Sequence, residues 1–111
     1  MDYNNNYVTP DEYKSAYGED LDLVAPKLDD PTNAAKRVIG LVQENLIAYL
    51  DANYQHQDIT QANLVKFKRA LLRCIYVCLN KCGLNEIQLD ETAYHLLRMG
   101  GFCNAKRYSG N

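Results

Sequence analysis

The chain has 111 residues, of which 47% are hydrophobic and 23% charged, and its formal net charge at pH 7 is -2. This length suits a single domain over residues 1–111, and the composition excludes a largely disordered chain, which would carry fewer aliphatic residues and more net charge. The small negative charge excludes a general attraction to nucleic acid or anionic membrane, although a local basic surface stays open.

The N-terminal residues carry no export signal. Residues 1–7 are polar and rich in asparagine, whereas a secretory signal needs basic residues followed by an apolar run. No apolar stretch approaches the roughly 18 residues of a membrane-spanning helix. We therefore expect a soluble, unexported protein without membrane partners, with residues 1–8 as a flexible arm.

The first predicted helix covers residues 9–17. Thr9 can cap it, Pro10 suits its first position, and Glu12 completes a capping box with Thr9. Gly18 suits the position where a helix ends. Residues 19–30 contain Pro26 and no clear period, so we predict a loop.

The dipeptide Asp30-Pro31 is a second helix-start signal, and the helix after it should run to about residue 52. Leu41 and Ile47 flank its apolar face and widen it beyond what one partner helix would cover. We therefore predict a second contact there. The face itself comprises Ala35, Val38, Ile39, Val42, Leu46, Tyr49 and Leu50.

A polar turn at residues 54–58 precedes the next long helix, which Asp58 or Thr60 can cap and which should end near Cys82, before Gly83. Between residues 70 and 79 only Arg73 is charged, which is typical of a helix in the middle of a bundle or at an interface. The predicted core face comprises Leu64, Phe67, Leu71, Cys74, Ile75, Cys78, Leu79 and Cys82.

A last helix is predicted from Glu91 to about Met99, with Asp90 as its cap and Gly100 and Gly101 after it. Residues 102–111 have no period, so we expect a flexible tail, disordered or ordered by a partner. No strand pattern is convincing, although residues 86–89 could be extended. The predicted fold class is all-α: a small bundle of two long antiparallel helices with short N-terminal and C-terminal helices.

Three cysteines, Cys74, Cys78 and Cys82, could form a zinc site with His95 or His56. Their spacing argues against it, because three thiolates along one helix span about 12 Å, whereas zinc ligands converge from a turn. The same spacing disfavours disulfides among them. We therefore predict buried, reduced cysteines in a cytoplasm, with no metal and no cofactor.

Catalysis has no signal in this sequence. No nucleophile motif and no glycine-rich phosphate loop is present, and capping explains most carboxylates. We predict that the protein is not an enzyme.

Lys66, Arg69 and Arg73 fall within about 60° on the second long helix, opposite its core face. This basic face could meet DNA phosphates, or it could be a solvated face that pairs with carboxylates. The second interpretation is favoured, because extensive DNA contacts use roughly six to ten phosphates.

The chain has nine tyrosines and no tryptophan. Tyrosine is enriched at protein interfaces because it joins apolar area to a polar tip, so some of these tyrosines are candidates for partner contacts. Tyr49 and Tyr76 should pack internally, whereas Tyr3, Tyr7 and Tyr108 lie in the terminal arms. The candidate interface residues are Leu41, Ile47, Phe102 and Tyr108.

The layout of residues 7–13, 30–50 and 67–72 resembles the small helical head-tail connector, or adaptor, proteins of tailed bacteriophages. The likeness covers roughly residues 7–83 and lies in the order and spacing of helices. The sequence departs from the family pattern after Cys82, where a further helix replaces the usual polar stretch.

The resemblance implies a virion protein at the head-tail interface, assembled in the bacterial cytoplasm. It implies a ring of about twelve copies that docks beneath the portal protein, extends the DNA channel and receives a tail or stopper protein. Residues 102–111 stand where family members engage the portal, and the resemblance leaves room for non-specific contact with channel DNA. The alternative is a small nucleic-acid-binding or regulatory helical protein.

Overall fold

The computed structural model of the chain describes residues 5–27, 30–84, 89–99 and 101–106, with the backbone alone at residues 82 and 104–106. The helices are α1 (Pro10–Tyr17), α2 (Leu21–Val24), α3 (Ala34–Asn53), α4 (Leu64–Val77) and α5 (Glu91–Met99). Two strands, β1 (Tyr54–His56) and β2 (Cys103–Lys106), form an antiparallel pair. The predicted helical character is confirmed, whereas the two strands had no signal in the sequence.

Helix α1 forms as predicted, because its capping residues are all local. The Thr9 hydroxyl oxygen accepts the Glu12 N–H at 3.1 Å, and the Glu12 carboxylate accepts the Thr9 N–H at 3.1 Å. Gly18 ends the helix with a φ of 71°, a left-handed conformation that glycine adopts without steric cost. Both ends of α1 therefore match the sequence-based expectation.

The segment predicted as a loop contains a helical turn, and this corrects the expectation for residues 19–30. The Asp20 carboxylate accepts the Asp22 N–H at 3.0 Å and so begins α2. Leu21 is fully buried, which anchors α2 to the core between α1 and α3. Burial of Leu21 therefore stabilises a helical turn in a segment whose apolar residues show no helical period.

Helix α3 begins at Ala34, after a single 3-10 turn (Pro31–Asn33), and α4 begins at Leu64. The later start of α4 corrects the prediction of a cap at Asp58 or Thr60. Asn63 explains it, because its side-chain oxygen accepts the Thr60 N–H at 2.8 Å and its amide donates to the Asp58 carbonyl at 2.8 Å. These bonds hold residues 58–63 in a turn.

The C-terminal end of α4 also differs from the prediction. A π-helical turn (Cys78–Cys82) follows Val77 where a continuous α-helix was expected. The N–H of Gly83 donates to the Cys78 carbonyl at 2.8 Å, and the φ of Gly83 is 82°. Glycine ends this segment as expected, but through a wider turn.

The core lies between α3, α4 and α5, and it uses the predicted faces of both long helices. The exceptions are Tyr49 on α3 and Leu64 and Leu79 of the second predicted face, which are only half-buried. From α5 the core receives Ala93 and Leu97. The buried residues of the predicted faces are Ala35, Val38, Ile39, Val42, Leu46, Leu50, Phe67, Leu71, Cys74, Ile75 and Cys78.

The chain after α5 folds back onto the domain, which corrects the prediction of a flexible tail for residues 102–106. Phe102 is 1% exposed, and its carbonyl accepts the Gln57 N–H at 2.8 Å. His56 of β1 then stands opposite Cys103 of β2. Residues 107–111 lie outside the described residues.

The N-terminal arm is also partly fixed. The Tyr7 N–H donates to the Gln43 side-chain oxygen at 2.7 Å, and the Gln43 amide donates to the Asn5 carbonyl at 2.9 Å. Val8 is 1% exposed and belongs to the core. Residues 5–8 therefore pack on α3 where a flexible arm was predicted, and residues 1–4 lie outside the described residues.

Candidate functional site

The three residues of the predicted basic face have different environments. The Arg73 Nε donates to an Asp90 carboxylate oxygen at 2.9 Å, and the guanidinium lies 5.6 Å from the centre of the Tyr76 ring. Arg69 is exposed and Lys66 is half-buried. Arg73 is therefore held within the fold, and the outward basic charge of this face comes from Lys66 and Arg69.

Asp90 is the partner that sequence reasoning missed. One of its oxygens accepts the Ala93 N–H at 2.8 Å, as its predicted capping role requires, and the other accepts from Arg73. In the sequence, the capping role was a sufficient reason for an aspartate at position 90. No sequence pattern therefore indicated Arg73, 17 residues away along the chain, as a second partner. The pairing appears only when α5 packs against α4.

Cys74 of α4 and Cys78 of the π-helical turn face the core. Cys74 is 1% exposed and is a free thiol, and Cys78 is 4% exposed. Burial, with a smaller effect of the Asp90 charge, raises the pKa of Cys74 to about 12. A thiol held neutral in this way is a poor nucleophile and a poor metal ligand. The predicted burial of these two cysteines is confirmed, and the Cys82 side chain lies outside the described residues.

The two histidines have acidic partners of their own. His56 Nε2 is 2.6 Å from an Asp51 carboxylate oxygen, and the ring stacks on Phe102 with centroids 5.6 Å apart. His95 lies 3.6 Å from Glu91 on the exposed side of α5. Among the residues that the structure describes, no group of three His, Cys, Asp or Glu side chains could hold a metal ion.

The four candidate interface residues also have different environments. Phe102 is buried against Phe67, with ring centroids 5.6 Å apart, so it stabilises the core and is not presented to a partner. Ile47 is half-buried against the core, and Leu41 is half-buried on α3. Tyr108 lies outside the described residues. Leu41 and Ile47 thus remain surface candidates, although each has only part of its side chain exposed.

The tyrosines predicted to pack internally do so at the edge of the core. Tyr76 stacks on Tyr17 with centroids 4.7 Å apart, and Tyr49 lies 6.2 Å from Tyr54. Burial raises the pKa of Tyr17 and Tyr54. Tyr7 packs edge-on against Phe67 at 5.4 Å, so this candidate arm residue contributes to the fold.

Large apolar side chains are exposed at positions that the sequence did not single out as interface residues. Leu23 is 80% exposed and Val24 42% on α2, Val65 is 59% exposed on α4, and Met99 is 81% exposed at the end of α5. A helical period around Val65 could have placed it on the outer face of α4. Leu23 and Val24 had no such signal, because they lie in the segment predicted as a loop.

A shallow groove of about 400 Å³ lies between α1 and α4. Leu72 provides apolar surface, Ser15 and Ala16 line it with small side chains, and Asp11 and Glu12 are acidic. Glu12 is already bound to Lys68 at 2.9 Å. The groove therefore offers a contact surface on which Asp11, unlike Glu12, forms no ion pair with a described side chain.

No protein-family model, curated protein or solved structure matches this chain. In the described part of the chain, no helix combines the length and apolar character that crossing a membrane requires.

Proposed function

We propose that this chain is a structural assembly protein whose work is to bind copies of itself and other proteins, and that it performs no catalysis. The observation that carries the proposal is the exposure of Leu23, Val65 and Met99, whose side chains are 80%, 59% and 81% exposed. Leu23 and Val24 are neighbours on α2, and burying their exposed apolar area against a partner would favour association. The thiols add to this, since Cys74 and Cys78 are buried and cannot act as surface nucleophiles.

In its specific form the proposal is a head-tail connector subunit of a tailed bacteriophage. Support comes from the resemblance: the segments that carry it lie in α1 and the residues just before it, in α3 with the turn before it, and in α4. A ring of about twelve copies needs two different contact surfaces on each subunit, because heterologous contacts join unlike surfaces. Apolar side chains on both α2 and α4 meet this requirement.

The proposed partners are further copies of the chain, a portal protein above the ring and a tail or stopper protein below it. The fold-back of residues 102–106 changes which residues could dock on the portal. Phe102 is in the core, so in this proposal the portal contact uses residues after 106 or the exposed helix surfaces. Virion location and contact with channel DNA belong to the same proposal.

Quantitative mass spectrometry of purified particles from a phage or prophage that encodes this chain tests the function. The expected result is a fixed stoichiometry of about a dozen copies per particle, together with the portal and tail proteins. Absence from particles that carry their portal and tail proteins would reject the connector function.

A small nucleic-acid-binding protein is the second candidate. Lys66 and Arg69 favour it, because neither forms an ion pair with a described side chain. Arg73 weakens it, because this guanidinium is paired with Asp90. Replacing Lys66 and Arg69 with Gln and measuring DNA binding over a range of salt concentrations separates the candidates. If Lys66 and Arg69 contact DNA phosphates, the double replacement should weaken DNA binding. It should also reduce the dependence of the binding constant on salt concentration.

A further inference from the structure

The α2 segment presents an acidic patch, which we define as Asp20, Asp22, Leu23 and Val24. Leu23 is 80% and Val24 42% exposed, whereas Leu21 beside them is fully buried and holds α2 in place. The Lys27 ammonium donates to the Asp22 carbonyl and offsets part of the charge. Two carboxylates against one ammonium leave the patch negative around two exposed apolar side chains.

The first turns of α4 present a basic patch, which we define as Val65, Lys66 and Arg69. Val65 is 59% exposed, and Arg69, four residues later, lies beside it on the same helix face. Among the described side chains, the neighbouring cations Lys68 and Arg73 are matched by carboxylates at 2.9 Å, whereas Lys66 and Arg69 form no such pair. The basic patch therefore carries unmatched positive charge around an exposed apolar side chain.

The two patches lie at opposite ends of the α1–α4 pair. Near the start of α4, Lys68 pairs with Glu12, and near its end Tyr76 stacks on Tyr17. These contacts are eight residues apart on α4, which is about 12 Å at the rise of an α-helix. Because α2 follows Tyr17 after a short turn, the acidic patch is near the far end of α4 and the basic patch is at its start.

We propose that the acidic patch of one copy binds the basic patch of a second copy. Opposite charges surround apolar side chains on the two patches, and such complementarity orients an association and selects the partner. No ion pair joins the two patches among the described side chains of one molecule, and the proposed contact joins unlike surfaces of two molecules. A contact of this kind repeats from copy to copy and gives a ring if its rotation closes. This inference rests on the proposed assembly function and names its surfaces.

Sedimentation velocity of the full chain at low salt, up to roughly 1 mM, measures the association. Two charge variants test the patches: Lys66→Glu with Arg69→Glu, which makes both patches acidic, and Asp20→Asn with Asp22→Lys, which makes both basic. The Asp20→Asn change keeps a side-chain oxygen in place to cap α2. Each variant alone should associate at least about tenfold more weakly than the wild type, because like charges then oppose each other.

An equal mixture of the two variants is the decisive measurement. Each acidic surface then meets a basic surface on the other variant, so association should return to within about threefold of the wild type. Lys36→Glu with Glu44→Lys, two exposed charges on α3, is the matched control and should associate as the wild type does. Circular dichroism checks that all variants keep their helices.

Carbodiimide cross-linking gives an independent readout, since it joins a carboxylate to an amine in direct contact. In a mixture of isotopically light and heavy protein, a mixed cross-link between Asp22 and Lys66 would support the contact. A wild type that stays monomeric up to roughly 1 mM, or a mixture that fails to restore association, would overturn the inference.

Particle mass spectrometry separates this inference from the proposed function. If the chain is a virion component but the charge variants associate normally, the function stands and its copies meet through other surfaces. If the variants behave as described but the chain is absent from particles, the contact stands and the connector function fails.

Discussion

The Arg73 guanidinium joins the middle of α4 to the Asp90 carboxylate at the start of α5, with Nε 2.9 Å from Oδ2. The second oxygen of Asp90 accepts the Ala93 N–H at 2.8 Å and so caps α5. Both side chains are 23% exposed, so water screens the pair only in part. One carboxylate thus determines where α5 begins and how it meets α4.

Replacing Asp90 with Ala should lower the free energy of unfolding by about 2 to 3 kcal/mol, because the helix cap is lost and Arg73 is left without its partner. Asp90→Asn should cost less, since asparagine keeps the capping oxygen but not the charge. Urea denaturation measures both changes. Glu44→Ala, an exposed carboxylate on α3, is the control and should change stability by less than about 0.5 kcal/mol. Equal losses for Asp90→Ala and Glu44→Ala would contradict the dual role.

Phe102→Ala should destabilise the protein by about 3 to 5 kcal/mol, because it removes a buried ring that packs on both Phe67 and His56. The truncation should also loosen the pairing of β1 with β2. Met99→Ala is the matched control, since its side chain is 81% exposed and its loss should be nearly neutral. Thermal denaturation compares the two variants. A neutral Phe102→Ala would mean that the tail is free, as the sequence suggested.

Gln43→Leu should release the N-terminal arm, because the Gln43 amide group holds both the Tyr7 N–H and the Asn5 carbonyl. Loss of these bonds at a buried position should cost about 1 to 2 kcal/mol. Hydrogen exchange of the Tyr7 amide should become fast while the amides of α3 stay protected. Asn45→Ala removes a side-chain amide that donates to the Leu41 carbonyl, and exchange at Tyr7 should stay slow. Continued protection of Tyr7 in Gln43→Leu would refute the anchoring role.

Cys74 should make the protein less stable at alkaline pH. Its pKa is raised from 9.0 to about 12 in the fold, so the unfolded chain loses this proton first as pH rises. The stability that the neutral, buried Cys74 thiol contributes is fully present below pH 9. As pH rises toward 12, this contribution to the free energy of unfolding is lost by up to about 1.4 kcal/mol per pH unit.

Urea denaturation at roughly pH 8 to 10.5 compares the slope of stability against pH in wild type and Cys74→Ala. The slope should be shallower in Cys74→Ala, because the titrating thiol is gone. Leu71→Ala truncates a neighbouring buried side chain without removing a titrating group, so it should lower stability and leave the slope unchanged. Identical slopes in wild type and Cys74→Ala would show that this thiol is not held neutral by the fold.

Local signals predicted the parts of the fold that need only local contacts. Thr9, Glu12 and Gly18 delimit α1 within ten residues, and Asp90 caps α5 three residues from its bonding partner. The periodic apolar positions of α3 and α4 gave the core faces correctly, because the period of a helix determines which side chains share a face. The predicted ends of α4 were wrong. Hydrogen bonds of the Asn63 side chain determine where the helix begins and a π-helical turn determines where it ends, and helical periodicity does not encode such bonds.

The sequence by itself therefore determined the mainly helical class, the caps of α1 and α5, and the burial of Cys74 and Cys78. Only the tertiary structure decided that Phe102 belongs to the core, that Arg73 pairs with Asp90, and that Leu23 and Val65 stand exposed. The physical reason is the distance along the chain between the residues that interact. Caps and helical faces follow from residues a few positions apart, whereas burial, ion pairs and strand pairing depend on segments that meet only when the chain has folded.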